Sequence, residues 1–225
     1  MSYATPGQLI SGEDWLAIPL EDWQAMAMLQ QMAQDQSLWE AVVAGETLLT
    51  LRYDPAKVTA REAHSSAISL LHSAKKSVSS GEYEASQQHH LLPLVVNAET
   101  APEWEMVAEQ LGMSASQLPQ WLEQRVYRVS LTGFQPGFAY LQDISAGNLP
   151  EIPRLASPRI AVHAGSLGFR GAKACLYAHK GPGGWPIIGR SNTPLFRPDN
   201  RKAPALLSIG DTVSFEILDS EHNHV

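Results

Sequence analysis

The sequence predicts an α+β protein with two domains, a small α/β domain over residues 1–85 and a β domain over residues 86–225. Apolar residues recur at helical spacing early in the chain and alternate along strands from Tyr127 onward. Ten of the 16 glycines lie in residues 133–190, and nine of the 15 prolines lie in residues 136–204, interleaved with aromatic residues. Because Gly permits positive φ and Pro fixes φ, this composition indicates a compact β unit with individually specified turns.

The N-terminal domain is predicted to have the order β-α-β-β-α. Its first four elements are a strand at 15–18, a helix at 21–34 and two hairpin strands at 38–43 and 47–53. Thr59 and Glu62 have the spacing of a capping box, which predicts a second helix. The polar residues from Lys75 onward cannot bury themselves, so a linker is predicted there, with the domain boundary between Ser77 and His90.

The C-terminal domain is predicted to begin with a strand at residues 91–96. Two further capping boxes, Thr100 to Glu103 and Ser114 to Gln117, predict the starts of short helices. Later apolar or alternating runs predict strands at 127–131, 174–177, 186–189 and 212–218.

The composition excludes several classes of protein. A chain of 225 residues with 44% hydrophobic and 17% charged residues is typical of a folded globular protein. A formal net charge of −7, without clustered Lys and Arg, argues against nucleic acid as a partner. The sequence shows no signal-peptide pattern and no apolar run of about 18 residues, which predicts a cytoplasmic protein without membrane contact.

Standard nucleophile and phosphate-binding motifs are absent from the sequence. Cys175 is the only cysteine and lies in an apolar run, so it is predicted to be a buried, inert thiol without a disulfide or a Cys-based zinc site. Residues 165–168 read GSLG, which differs from the G-x-S-x-G of hydrolases. Residues 168–173 lack the spacing of a phosphate-binding loop.

The eight histidines predict no metal site. Four are placed in the predicted linker or in the tail, namely His89, His90, His222 and His224. His64 and His72 are eight residues apart on a predicted helix, with no carboxylate placed to complete a site.

Polar residues beside the Gly and Pro turns are the candidate functional residues. In a small β barrel such residues often converge on one concave face, where Arg binds a carboxylate through two hydrogen bonds. The candidates are Arg154, Arg159, His163, Ser166, Lys173, Trp185, Arg190 and Asn192. The alternative is that the arginines only tie down irregular loops through backbone carbonyls.

These candidates lie within a pattern that resembles a known protein family. The pattern reads GFxPGFxYL, then PR…PR…AGS, then PGGWxxIGR…LF, and finally GDxVxF. It occurs here at residues 133–141, 153–166, 182–196 and 210–215. The family includes the B-type subunit of bacterial 5-oxoprolinase, allophanate hydrolase subunit 1 and the sporulation kinase inhibitor KipI.

The resemblance implies a small α/β domain followed by a cyclophilin-like β barrel. It also implies a subunit that is active only with a second cyclophilin-like carboxyltransferase subunit of the C type, with a LamB/YcsF-type subunit as a further partner. The assembled enzyme is expected to use ATP to open 5-oxoproline to glutamate, or to act on allophanate and urea. The alternative is a KipI-like regulator that binds and inhibits a histidine kinase without catalysis.

Ser166 and Arg190 are the predicted catalytic residues of such a subunit. Arg190 and Arg159 are expected to hold a substrate carboxylate, while Ser166 and backbone amides near Gly165 stabilise developing negative charge. The other predicted substrate-binding residues are His163, Lys173 and Trp185, the last as a wall of the cleft. A partner surface or groove is predicted at Phe134, Pro136, Phe138 and Tyr140.

The chain departs from the family pattern at several polar positions. Leu122 stands where relatives commonly carry His, and residues 173–175 read KAC where QTG is common. His163 replaces the usual Pro before Ala-Gly-Ser, and residues 97–99 read NAE in place of YGG. The missing His at Leu122 favours the regulator, whereas the retained PGGWPIIGR segment fits either function.

Overall fold

The structure, a computed structural model, describes residues 9–80, 88–145 and 147–218. The chain divides into two compact units, Met1–Gln87 and Gln88–Val225. The predicted α+β class is confirmed, because the first unit combines a sheet with two helices and the second contains a closed barrel. Part of the predicted linker, residues 81–87, and the tail histidines lie outside the described residues. Within the described ranges, no helix is long and apolar enough to cross a membrane.

The N-terminal unit contains a four-stranded antiparallel sheet with the strand order β1-β2-β4-β3. Its elements are β1 (Ile10–Ser11), β2 (Trp15–Pro19), α1 (Trp23–Gln34), β3 (Ala41–Ala44), β4 (Leu48–Arg52) and α2 (Ala60–Ser79). The predicted β-α-β-β-α series is confirmed, with the short edge strand β1 in addition. Both helices pack on the sheet, and alternating buried residues of β2 and β4 supply its core side: Leu16, Ile18, Leu49 and Leu51.

Side-chain caps begin both helices of this unit. The Asp22 carboxylate accepts hydrogen bonds from the Gln24 and Ala25 amides at 2.9 and 3.3 Å. The predicted capping box at Thr59 is confirmed, and its hydrogen bonds hold the pKa of Glu62 below the usual range. The prediction of a linker from Lys75 was wrong, because α2 continues to Ser79. Polar residues on the exposed side of an amphipathic helix do not end it.

The C-terminal unit is a closed seven-stranded barrel with two short helices and a separate two-stranded sheet. In chain order its elements are β5 (His89–Val95), α3 (Trp104–Gln110), α4 (Leu118–Glu123), β6 (Tyr127–Thr132), β7 (Ala139–Asp143), β8 (Arg159–Val162), β9 (Ser166–Phe169), β10 (Lys173–Leu176), β11 (Gly181–Gly183), β12 (Ile187–Arg190) and β13 (Thr212–Leu218). The barrel order is β10-β7-β6-β13-β5-β12-β9, and β8 pairs with β11 outside it.

The first and last strands of the barrel, β5 and β13, pair in parallel over seven residues. The prediction that His89 and His90 lie in a linker was wrong, since both begin β5. The two ring nitrogens of His89 contact the hydroxyls of Thr212 and Ser214 at 3.0 and 2.9 Å. His90 Nε2 lies 3.3 Å from a carboxylate oxygen of Asp211. The two histidines at the start of β5 therefore have hydrogen-bonding partners in or just before β13, which is distant in the sequence.

The two short helices begin later than their capping boxes predicted. Thr100 does not cap α3, because its hydroxyl donates to the Val95 carbonyl at 2.8 Å, while the Glu103 carboxylate accepts from the Ile187 amide. In the second box, Gln117 Oε1 accepts from the Ser114 amide at 2.9 Å, but this turn precedes α4 instead of forming its first residues.

Candidate functional site

Three of the predicted site residues, Ser166, Trp185 and Arg190, lie on the outer face of the barrel, not in its interior. Along β9, Leu167 and Phe169 point into the barrel core, so Ser166 and Gly168 face outward. A second apolar cluster occupies this outer face. Its buried members are Phe138, Val162, Cys175, Tyr177 and Ile187, and Tyr140 and Trp185 pack against them. We call these seven residues the outer-face cluster.

The hairpin between β6 and β7 ends in a strained turn beside the outer-face cluster. The Gln135 amide donates to the Gly133 carbonyl at 2.8 Å around Phe134, whose φ of +67° is unusual for a residue with a side chain. Pro136 and Gly137 then form the centre of a tight turn, in which the φ of +77° at Gly137 requires glycine.

This turn separates the four predicted groove residues into two pairs. Phe134 is 58% exposed and Pro136 is also exposed at the tip. Phe138 is buried and Tyr140 is partly buried in the outer-face cluster. The two pairs remain connected, because the rings of Phe134 and Phe138 meet at 5.1 Å between centroids.

Ser166 and Arg190 are direct cross-strand partners on β9 and β12. Opposite residues of an antiparallel pair place their side chains on the same face, so the two predicted catalytic residues lie side by side. Arg190 also pairs with Val95 of β5. Its Nη2 donates to Glu99 Oε1 at 3.0 Å, and the Glu99 side chain is 76% exposed.

The backbone at Gly165 does not offer free amides for an oxyanion. Gly165 has a φ of +79°, and a Cβ there would lie 1.9 Å from the Ser191 carbonyl oxygen, so only glycine fits. Its amide donates to the Tyr177 carbonyl at 2.7 Å, and the Ser166 amide donates to the carbonyl of the exposed His163 at 3.3 Å. The expected role of these amides is therefore not available in this conformation.

Arg159 is held by the protein itself. Its Nη2 is hydrogen-bonded to Glu103, whose other carboxylate oxygen accepts from the Ile187 amide at 2.7 Å. The Glu103 side chain is only 13% exposed. Arg159 thus ties β8 to the segment before α3 and to β12. Its buried Nη1 has no hydrogen-bond partner among the described residues.

Trp185 packs against the buried members of the outer-face cluster. Its ring lies 6.1 Å from that of Tyr140, and the Arg170 guanidinium carbon lies 5.5 Å from its centroid. Arg170 Nε also donates to the Ile152 carbonyl at 2.9 Å, which holds the segment before β8 close to Trp185. Arg154 follows on that segment and is exposed.

The remaining predicted residues lie at the margins of this face. Lys173 is exposed at the start of β10, on the same side of the strand as Cys175. Asn192 is exposed just after β12. The structure thus brings Ser166, Arg190 and Trp185 to one face and leaves Lys173 and Asn192 at its edge.

Burial keeps the titratable groups of the outer-face cluster neutral. Cys175 is buried, as predicted, and its burial raises the pKa of the thiol. Burial also raises the pKa of Tyr177. The pKa of the half-exposed Tyr140 is raised by the same cause. These groups supply no thiolate or phenolate near neutral pH. Over residues 9–80, 88–145 and 147–218, no cluster of three His, Cys, Asp or Glu residues is placed to hold a metal ion.

Two residues of the site were missed from the sequence, and a third residue, Leu122, was wrongly associated with it. Glu99 and Glu103 contact two of the three candidate arginines, Arg190 and Arg159. Glu103 had the spacing of a helix cap, and Glu99 had no motif. Leu122 is fully buried in the barrel core, away from the polar face. The residue at that position therefore does not report on catalysis at the outer face.

The sequence matches a carboxyltransferase domain, subdomain C and D, over residues 14–207. It is 40% identical over 127 residues to the B-type subunit of 5-oxoprolinase from Escherichia coli O157:H7, covering 55% of this chain and 56% of that relative. The aligned part thus spans little more than half of the relative's length.

Two solved structures have a similar fold. A conserved uncharacterized protein of Pyrococcus horikoshii is 27% identical, with a TM-score of 0.53 over 94% of this chain and 97% of that protein. The urea carboxylase of Kluyveromyces lactis is 14% identical, with a TM-score of 0.65 over 94% of this chain and 22% of that enzyme.

Proposed function

Because the chain belongs to the carboxyltransferase domain family of subdomains C and D, we propose that it is a B-type subunit of a 5-oxoprolinase. The similarity to the B-type subunit of 5-oxoprolinase from Escherichia coli O157:H7 supports this proposal. Because that relative is one subunit of an enzyme, the similarity also supports a multi-subunit assembly. The proposed reaction is the ATP-dependent opening of the 5-oxoproline ring to glutamate. The proposed partners are a second cyclophilin-like subunit of the C type and a LamB/YcsF-type subunit.

The pairing of Ser166 with Arg190 on the outer face carries the proposal. 5-Oxoproline presents a carboxylate on one side of a small ring and an amide on the other. The planar guanidinium of Arg190 matches a carboxylate through two hydrogen bonds, and Glu99 is an exposed partner that a substrate can displace. Ser166 is the cross-strand partner of Arg190 and is only 4% exposed, and its hydroxyl is the group that we assign to a second oxygen of the substrate. The outer-face cluster supplies an apolar floor for the ring.

What this face lacks supports the proposed dependence on a partner subunit. The thiol and phenol groups of the outer-face cluster have raised pKa values, so they are poor bases near neutral pH. The sequence contains no phosphate-binding loop. We therefore assign the binding of ATP and the general base to the assembled complex.

Reconstitution tests this function. The chain is purified alone and together with a C-type subunit and a LamB/YcsF-type subunit, and release of ADP is measured with and without 5-oxoproline. We expect 5-oxoproline-dependent ADP release only from the assembly. Turnover by the isolated chain overturns the partner requirement, and an assembled but inactive complex overturns the assigned reaction.

A regulator that binds a partner without catalysis is the second candidate. The observation that favours it is the engagement of the Gly165 and Ser166 amides by Tyr177 and His163. This candidate predicts that the chain alone inhibits autophosphorylation of a histidine kinase encoded beside its gene. The enzyme subunit is not expected to do so.

A further inference from the structure

Glu99 is presented to Arg190 by a fixed turn after β5. Asn97 Oδ1 accepts hydrogen bonds from the Glu99 and Thr100 amides, both at 2.9 Å. The Thr100 hydroxyl donates to the Val95 carbonyl at 2.8 Å, and Val95 is itself the cross-strand partner of Arg190. The turn that carries Glu99 is thereby anchored to the strand that lies beside Arg190.

The Glu99 side chain itself is weakly held. It is 76% exposed, whereas the Arg190 side chain is 24% exposed. Among the described residues, Glu99 makes a single ion pair, with Nη2 of Arg190 at 3.0 Å. Exposed pairs of this kind contribute little free energy because water and salt screen both charges. A competing carboxylate can therefore replace Glu99 on Arg190 without leaving a buried charge unpaired.

We propose that Glu99 occupies the carboxylate site of Arg190 in the free protein and is displaced by a carboxylate ligand, so that it sets the affinity of the site. The identity of that ligand as 5-oxoproline rests on the function proposed above. A neutral ring of the same shape does not pair with the guanidinium and leaves Glu99 in place. Glu99 thus determines how strongly the outer face distinguishes an acid from its neutral analogue.

Chemical labelling tests the occupancy of Arg190 without any substrate. Wild type, Glu99→Gln and the control Glu109→Gln, which removes an exposed charge from α3, are treated with phenylglyoxal, and modification of Arg190 is followed by peptide mass spectrometry. The exposed Arg201 serves as an internal standard. We expect two- to fivefold faster labelling of Arg190 in Glu99→Gln alone, about the range of an exposed ion pair. Equal rates in all three proteins overturn the proposal.

Protection by ligands separates this proposal from the proposed function. 5-Oxoproline is expected to slow the labelling of Arg190 at about two- to fivefold lower concentration in Glu99→Gln than in wild type. 2-Pyrrolidinone, which lacks the carboxylate, is expected to give no protection in either. If acetate protects Arg190 more strongly in Glu99→Gln but 5-oxoproline protects in neither protein, the role of Glu99 stands and the proposed substrate is wrong. If 5-oxoproline protects both proteins at the same concentration, the role of Glu99 is wrong and the substrate stands.

Discussion

Two arginine–glutamate ion pairs lie at β12, Arg159 with Glu103 and Arg190 with Glu99, and they differ in burial and in the number of partners of the glutamate. Both glutamates come from the segment between β5 and α3. Glu103 is 13% exposed, and it binds the Ile187 amide as well as Arg159. Glu99 is exposed, and Arg190 is its ion-pair partner within the described part of the chain. An ion pair therefore stabilises the fold when its carboxylate has a second, buried partner. A pair without that second partner is available to a ligand.

The largest expected effect is on folding, and it tests the buried pair. Glu103→Ala removes the acceptor of the Ile187 amide and leaves the Arg159 guanidinium without a counter-charge. We expect a loss of about 2–3 kcal/mol in the free energy of unfolding, the scale of charge-assisted hydrogen bonds in a partly buried pair. Urea denaturation measures it, with Glu99→Ala as the matched control at less than about 1 kcal/mol. Equal losses in the two variants contradict the comparison.

The next effect is on binding, and it tests the exposed pair. Arg190→Lys keeps the charge but loses the planar guanidinium. We expect thermal stability close to that of wild type, while affinity for 5-oxoproline in the reconstituted complex falls by about 1–3 kcal/mol. Arg159→Lys is the matched control and is expected to lower the melting temperature. If Arg190→Lys unfolds readily while binding per folded molecule is intact, Arg190 belongs to the scaffold.

The smallest effect is a dependence on salt, which sharpens the same contrast. The stability difference between Glu99→Ala and wild type is expected to be about 0.5 kcal/mol at low ionic strength. It is expected to vanish in about 1 M NaCl, where the Debye length is about 3 Å. The deficit of Glu103→Ala is expected to persist, because buried partners are screened less. Denaturation curves at two salt concentrations check both statements, and a salt-sensitive Glu103 deficit would show that this pair behaves as an exposed one.

The N-terminal unit and five of the seven barrel strands were predicted from local patterns, whereas β7 and β9 were not. The helix after Thr59 followed from a capping box, and β13 followed from a run that alternates over seven residues. The end of α2 was missed because polar composition cannot distinguish a linker from the exposed side of a helix. The order of the barrel strands is non-local and was not predicted, and only the barrel architecture came from the family resemblance.

The candidate site was predictable as a set of residues but not as a geometry. Ser166 and Arg190 are 24 positions apart in the chain, and only the pairing of β9 with β12 makes them neighbours. No spacing rule revealed that Arg159 and Arg190 already have glutamate partners. Glu103 fits a helix cap in the sequence, yet its carboxylate makes other hydrogen bonds that the local pattern does not encode.

The parallel pairing of β5 with β13 has a consequence for how the barrel is made. Its seven paired positions join residues that are more than 120 apart in the chain, so closure of the barrel brings together the most distant strands of this unit. Long-range pairings form late, because closing a large loop costs chain entropy before the contacts that it allows can stabilise the structure. On the ribosome, we expect the N-terminal unit to acquire its structure first. The barrel strands are then expected to remain an unclosed sheet, with exposed edges at β5 and β6, until Leu218 has emerged. In that interval these edges are open to pairing with other chains, and chaperone binding is expected to concentrate there.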